Sequence, residues 1–82
     1  MYKIEITKKA LKFIEKQAKP QRNIILNAIH KLPAGDTKPL QGYNNYFRLR
    51  VGDYRIIYSI DNGRLIINVI DAGNRGQIYK RY

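Results

Sequence analysis

Tyr46-Phe47-Arg48-Leu49-Arg50-Val51-Gly52-Asp53-Tyr54-Arg55-Ile56-Ile57-Tyr58-Ser59-Ile60 is the stretch on which the fold turns. Phe47, Leu49 and Val51 alternate with Tyr46, Arg48 and Arg50. After Gly52-Asp53 the alternation resumes in Tyr54, Ile56, Tyr58 and Ile60. Two strands that each bury one face, joined by a two-residue turn, produce this pattern. Residues flanking such a turn share a sheet face, so Val51 is expected opposite Tyr54, Leu49 opposite Ile56 and Phe47 opposite Tyr58. The other face then carries Tyr46, Arg48, Arg50 and Arg55, with Arg50 directly across from Arg55.

Working outward, Asn62-Gly63 is a strong hairpin signal and introduces a further strand from Leu65 to Ile70. A two-residue loop there pairs Ile60 with Leu65, Tyr58 with Ile67 and Ile56 with Val69, again on the apolar face. At the N-terminus Tyr2, Ile4 and Ile6 alternate with polar residues as a strand does. Thr7 can cap a helix whose Ala10, Leu11, Ile14 and Ala18 form one stripe. Pro20 suits the first turn of a second helix bearing Ile25, Ala28, Ile29 and Leu32, ended by Pro33 and Gly35. Ala34 to Asn45 shows no sustained period and reads as a loop, and Gly73 and Gly76 punctuate a basic tail. The elements predict one α+β domain over residues 1–82, its N-terminal strand and helical hairpin packed on one face of an antiparallel β-sheet. The second face is expected to stay open, rimmed by the loop and the tail.

Composition narrows the function. Eighty-two residues leave no room for a separate cofactor lobe, and the absence of Cys excludes thiolate metal sites and disulfides. Sixteen Lys and Arg against six Asp and Glu give a net charge of +10, which attracts acidic proteins and nucleic acids. No apolar run follows a basic N-terminal segment, and Leu65–Ile70, interrupted by Asn68, falls far short of the roughly 20 residues of a membrane span. A cytoplasmic protein without membrane contact is expected.

Like charges across neighbouring strands are unfavourable unless an anion compensates them, so Arg48, Arg50 and Arg55 mark a phosphate-binding face. Tyr43, Tyr46 and Tyr79 are candidates to stack on bases. A solvated basic face is the plain alternative. His30 is the only histidine, which excludes a two-histidine nuclease and leaves it a structural residue near a helix end. Asp53 and Asp61 fall in turns and Asp71 stands isolated at a strand end, so no carboxylate pair nominates a metal or an acid/base dyad; no metal and no cofactor are expected. RNA brings its own nucleophile, the 2′-hydroxyl, and a protein that aligns it with the adjacent phosphate and neutralises developing charge can cut RNA without a metal. Arginine cannot be the base, which leaves a Tyr or Lys such as Tyr79.

Lys38-Pro39-Leu40-Gln41-Gly42, followed by Tyr46-Phe47-Arg48-Leu49-Arg50-Val51-Gly52-Asp53-Tyr54-Arg55-Ile56-Ile57-Tyr58, resembles the central signature of the RelE/ParE superfamily of bacterial toxins. The order of elements and the tail with Gly73-Asn74-Arg75 and Tyr79 extend the resemblance over nearly the whole chain. It implies a RelE-like microbial RNase fold and a type II toxin–antitoxin system whose cognate antitoxin wraps and blocks the toxin. In the RelE branch it implies a ribosome-dependent mRNA endonuclease acting on mRNA in the ribosomal A site. Carried over by motif, Arg48 and Arg50 match the basic strand residues that hold RNA, and Arg55, Arg75 and Tyr79 are the catalytic residues; Tyr46, Lys80 and Arg81 are expected to join Arg48 and Arg50 in binding RNA. Some members carry Lys where this chain has Arg48 and Arg50, which moves the base to Tyr79 or Lys80. The alternatives are a ParE-like inhibitor of DNA gyrase and a non-catalytic basic nucleic-acid-binding module.

Overall fold

The period-2 segments do become strands. The computed structural model describes residues 1–82, in the order β1 (Lys3–Ile6), α1 (Lys8–Glu15), α2 (Lys19–His30), β2 (Thr37–Pro39), β3 (Tyr46–Val51), β4 (Tyr54–Asp61), β5 (Ile66–Asn74) and α3 (Arg75–Arg81). The sheet has five strands in the order β1-β5-β4-β3-β2. β1 joins it as an edge strand parallel to β5, and the remaining pairs are antiparallel.

Thr7 links the first strand to the first helix. Its Oγ1 accepts from the Ala10 amide at 3.2 Å and donates to the Ile70 carbonyl at 2.7 Å, so one side chain caps α1 and stitches it to β5. Pro20 sits in the first turn of α2, where its missing N–H costs nothing. Ala10 and Ile14 of α1 and Ile25 and Ile29 of α2 close over Leu49, Ile56, Tyr58, Ile67 and Val69. Each fully buried Ile or Val contributes roughly 1.5–3 kcal/mol, against ~0–1 kcal/mol for an exposed ion pair. The helix-facing layer therefore supplies most of the stability.

The β3–β4 register is the expected one: Val51 pairs with Tyr54, Leu49 with Ile56 and Phe47 with Tyr58. The β4–β5 register differs. Asp61 accepts from the Arg64 amide at 3.1 Å and Leu65 adopts a φ of 56°, which makes a four-residue turn of Asn62 to Leu65. Ile60 consequently pairs with Ile67 and Tyr58 with Val69, a slip of two residues that keeps the apolar face. Beyond Tyr58 a bulge inserts Ile70, so Ile57 pairs with Asp71 and Ile56 with Ala72. The bulge turns Asp71 onto the face away from the helices. Two further expectations are corrected. The loop before β3 contains the edge strand β2, and the tail is the helix α3, which lies on the face expected to be open.

Candidate nucleic-acid interface

Strand register arranges this second face in rows. One row is Arg50, Arg55 and Gly73; the next is Lys38, Arg48, Ile57 and Asp71; the third is Tyr46, Ser59 and Asn68. Adjacent rows lie two residues apart, roughly 6.5 Å along the strands. α3 runs across all of them. The Arg75 amide donates to the Asp53 carbonyl at 2.9 Å near the β3–β4 turn, and Ile78 is buried against Leu40 and Ile57, with Tyr46 and Tyr82 at the margin. The arginine face thus has a small apolar centre of its own, which divides the hairpin end from a cleft on the β2 side.

Most of the arginines on this face are already neutralised. Arg50 Nε donates to Asp36 Oδ2 at 2.5 Å. Arg48 Nη1 donates to the Asp36 carbonyl at 3.2 Å and lies 3.5 Å from its Oδ1. Partial desolvation raises the Asp36 carboxyl, yet the two guanidinium groups outweigh it and hold the pKa below the ordinary value. The compensating anion for Arg48 and Arg50 is therefore built into the chain. Arg81 forks onto Asp71, Nε to Oδ2 at 3.1 Å and Nη2 to Oδ1 at 3.3 Å, while Lys9 reaches the same carboxylate at 3.2 Å. Burial alone would raise Asp71; the hydrogen bonds from Arg81, Lys9 and the Ala72 amide lower it instead. Arg81, expected to bind RNA, is the residue that fastens α3 to β5.

Arg55 is the exception. It is 7 % exposed, and its Nη1 donates to the carbonyls of Gly52 and Tyr54, both at 2.8 Å, bracing the turn where Gly52 has a φ of 58°. None of the ion pairs in the structure involves it. Its Nε is buried with no hydrogen-bond partner. A buried guanidinium without a counter-charge is unfavourable unless a further anion meets it.

The other nominated residues fall to either side of α3. Arg75 and Lys80 are exposed on that helix, Arg75 at the hairpin end. Tyr79, 46 % exposed, shares a cleft with Lys38, Arg48 and Tyr82. Tyr46 stacks in parallel on Tyr43 at 5.7 Å, and Tyr82 meets Tyr43 edge-on at 5.6 Å. Burial and the nearby Asp71 push the Tyr82 hydroxyl up, which removes it as a base. His30 lies on α2 with its Nδ1 2.8 Å from the Leu26 carbonyl, apart from this face. Sequence reasoning missed Lys38, Asp36 and Asp71. Lys38 becomes visible only once β2 is known to pair with β3; Asp36 and Asp71 act on arginines 10 to 14 residues away, beyond any local pattern.

An α+β sheet with a helical hairpin on one face and an arginine-bearing opposite face is shared with characterised proteins. The sequence matches the family described as ParE toxin of type II toxin-antitoxin system, parDE, over residues 4–79. The chain belongs to the RelE/ParE superfamily of type II toxin–antitoxin toxins. Among solved structures it is similar to the archaeal RelE–RelB complex from Pyrococcus horikoshii OT3, with 26% identity, a TM-score of 0.76, and 93% of this chain and 97% of that chain covered. The RelB–RelE antitoxin–toxin complex from Methanococcus jannaschii is similar at 25% identity and a TM-score of 0.75, over 95% of this chain and 98% of that one. The RelBE2 toxin–antitoxin complex from Mycobacterium tuberculosis shares the fold at 21% identity and a TM-score of 0.77, over 90% of this chain and 98% of that one. No curated protein matches the sequence. No helix is long and apolar enough to cross a membrane.

Proposed function

We propose that this RelE/ParE toxin is a ribosome-dependent endoribonuclease that cuts mRNA in the ribosomal A site in the cytoplasm, acting as one domain over residues 1–82. The observation that carries the reading is Arg55: a buried guanidinium with an unpartnered Nε, beside strand arginines, Arg48 and Arg50, that are neutralised from within. A scissile phosphate lying over the part of Arg55 still open to solvent offsets that charge without reaching the buried Nε, and Arg75 at the same end of the face adds a second positive charge. The 2′-oxygen attacks the adjacent phosphorus, the bond from phosphorus to the 5′-oxygen breaks, and a cyclic phosphate and a free 5′-hydroxyl result. Arg55 and Arg75 stabilise the negative charge that develops on the phosphoryl oxygens. Tyr79, which lies beside Arg48 on the cleft side of α3, takes the 2′-hydroxyl proton from a strand that crosses the helix, and the departing 5′-oxygen takes its proton from solvent. Tyr46 and Lys80 position the strand on either side, Arg48 and Arg50 meet its phosphates only in exchange for Asp36, and Arg81 holds α3 in place beneath it.

A net charge of +10 and a groove between α2 and β3 lined by Ile24, Ala28, Val51 and Arg50 suit an acidic antitoxin segment with apolar side chains. The relatives crystallised with RelB support such a partner. Primer extension on a defined mRNA in reconstituted translation, with and without ribosomes, tests the activity. New ends that require ribosomes are expected; intact mRNA in both reactions contradicts the proposal. The family description, ParE toxin, favours a second reading, poisoning of DNA gyrase. Inhibited supercoiling by purified gyrase together with uncut mRNA would establish it.

A further inference from the structure

α3 cannot hold its shape alone. Its seven residues fall short of the roughly 12–15 that an isolated helix needs in water, its N-cap Asn74 makes no side-chain bond, and Gly76 lies within it. Three ties hold its body on the sheet. The Arg75 amide bonds the Asp53 carbonyl at the start, Ile78 is buried in the middle, and Arg81 forks onto Asp71 at the end. Gly73 of β5 makes the seat a close one: a Cβ there would stand 3.2 Å from Arg81 Nη2 and 3.4 Å from Ile78 Cδ1. Asp71 is buried and serves both helical layers, because Lys9 of α1 reaches the same carboxylate as the Arg81 fork. Tyr79 lies between the middle tie and the last one. Its ring is half exposed, so the backbone of the last turn decides where its hydroxyl stands. Arg75 and Arg55 have other supports, the first in the Asp53 carbonyl and the second in the carbonyls of Gly52 and Tyr54.

We propose that Asp71 is a positioning residue for Tyr79: its grip on Arg81 fixes the last turn of α3 and with it the place of the Tyr79 hydroxyl, while the groups that meet the phosphate keep their own supports. The inference rests on the RNA-cutting reading, in which Tyr79 takes the 2′-hydroxyl proton. Proton transfer needs hydrogen-bond reach, so a loosened last turn slows the chemical step without weakening the hold on the strand. Asp71 itself is too deeply buried to touch RNA, and Arg81 spends its fork on that carboxylate. Lys9 shares the carboxylate but belongs to α1, so it steadies Asp71 without holding α3.

Single-turnover cleavage of a defined mRNA on ribosomes, at rising concentrations of the purified full chain, separates the maximal rate from the half-saturating concentration. Asp71→Asn and Arg81→Gln are each expected to lower the maximal rate by about tenfold and to move half-saturation by less than about twofold. Arg81→Gln leaves the buried carboxylate its Lys9 partner, which keeps the test valid if Asp71→Asn fails to fold. Lys9→Gln removes the other partner of the same carboxylate and should stay within about twofold of the parent in both quantities. In a Tyr79→Phe background Asp71→Asn should change the rate by less than about twofold, because the group it places is gone. Backbone order parameters give a readout that needs no cleavage. Amides from Ile78 to Arg81 should fall from about 0.85 in the parent to below about 0.6 in Asp71→Asn and Arg81→Gln, while those of β4 stay near 0.85. A loss that recurs undiminished in the Tyr79→Phe background, an equal loss in Lys9→Gln, or an unchanged last turn overturns the inference and leaves the nuclease reading standing. A parent that cuts no mRNA ends the nuclease reading and this role of Asp71 together.

Discussion

The two faces of one sheet handle their side chains in opposite ways. Toward α1 and α2, Ile14, Ile25, Ile29, Ile56, Ile67 and Val69 close on one another with nothing left to satisfy. Toward α3 the same strands present arginines, and each of these but Arg55 is paired with a carboxylate of the chain itself. Charge on a surface is thus a poor guide to function by itself; what matters is which charge the protein has left uncompensated. On this account the first face makes the fold, Asp36 and Asp71 make the second face rigid, and Arg55 makes it reactive.

Cutting into the first face should have the largest effect on folding. Ile67→Ala removes a fully buried β5 side chain on the helix-facing side of the sheet and is expected to cost about 2–5 kcal/mol, read from the urea midpoint. A loss under about 1 kcal/mol would mean the helix-facing layer is not where the stability lies. Asp71 comes next. Asp71→Asn should cost ~1–2 kcal/mol at pH 7, since Arg81 and Lys9 remain partly in water and screening trims the charge contribution. The carboxyl is depressed below its ordinary 3.8, so its contribution is complete above that value and fades as pH falls through the lower, folded value. The gap between parent and Asp71→Asn should hold from pH 7 to about 5 and close toward pH 3; a gap constant over that range would remove Asp71 from its place as the fastener of α3.

The smallest effect falls on Asp36, an exposed loop residue. Asp36→Asn should leave the urea midpoint where it is and free Arg48 and Arg50 for RNA. With about 0.7 of a salt-slope unit for each phosphate met in a single strand, the dependence of RNA affinity on salt should steepen by roughly 0.7–1.4. An unchanged slope would show that the two arginines do not reach the strand even when released.

The fold was legible where the chain speaks locally. Gly52-Asp53 and the alternation on either side dictate the β3–β4 register to the residue, because a two-residue loop permits one pairing. The bulge at Ile70 was not: the one local sign, a charged Asp71 where the alternation of Ile67 and Val69 calls for an apolar residue, marks the end of a strand as readily as a bulge. β2 has three residues, one of them Pro39, and α3 has a single buried anchor, Ile78, between Gly76 and a charged end; neither offers the repetition that periodicity needs. The arginine face was correctly nominated from register. That its compensating anions are Asp36 and Asp71 depends on contacts far apart in sequence, and so does the isolation of Arg55.

Ribosome-bound mRNA cleaved by Arg55→Met, read by primer extension beside the parent, is the most direct test. Methionine keeps the bulk of the side chain; losing the two hydrogen bonds to Gly52 and Tyr54 is largely offset by removing a buried cation that no carboxylate meets, so the variant should stay folded, within about 2 kcal/mol of the parent by urea unfolding. The account predicts cleavage lowered by about 10²–10³-fold in that folded protein, whereas cleavage within about threefold of the parent would contradict it.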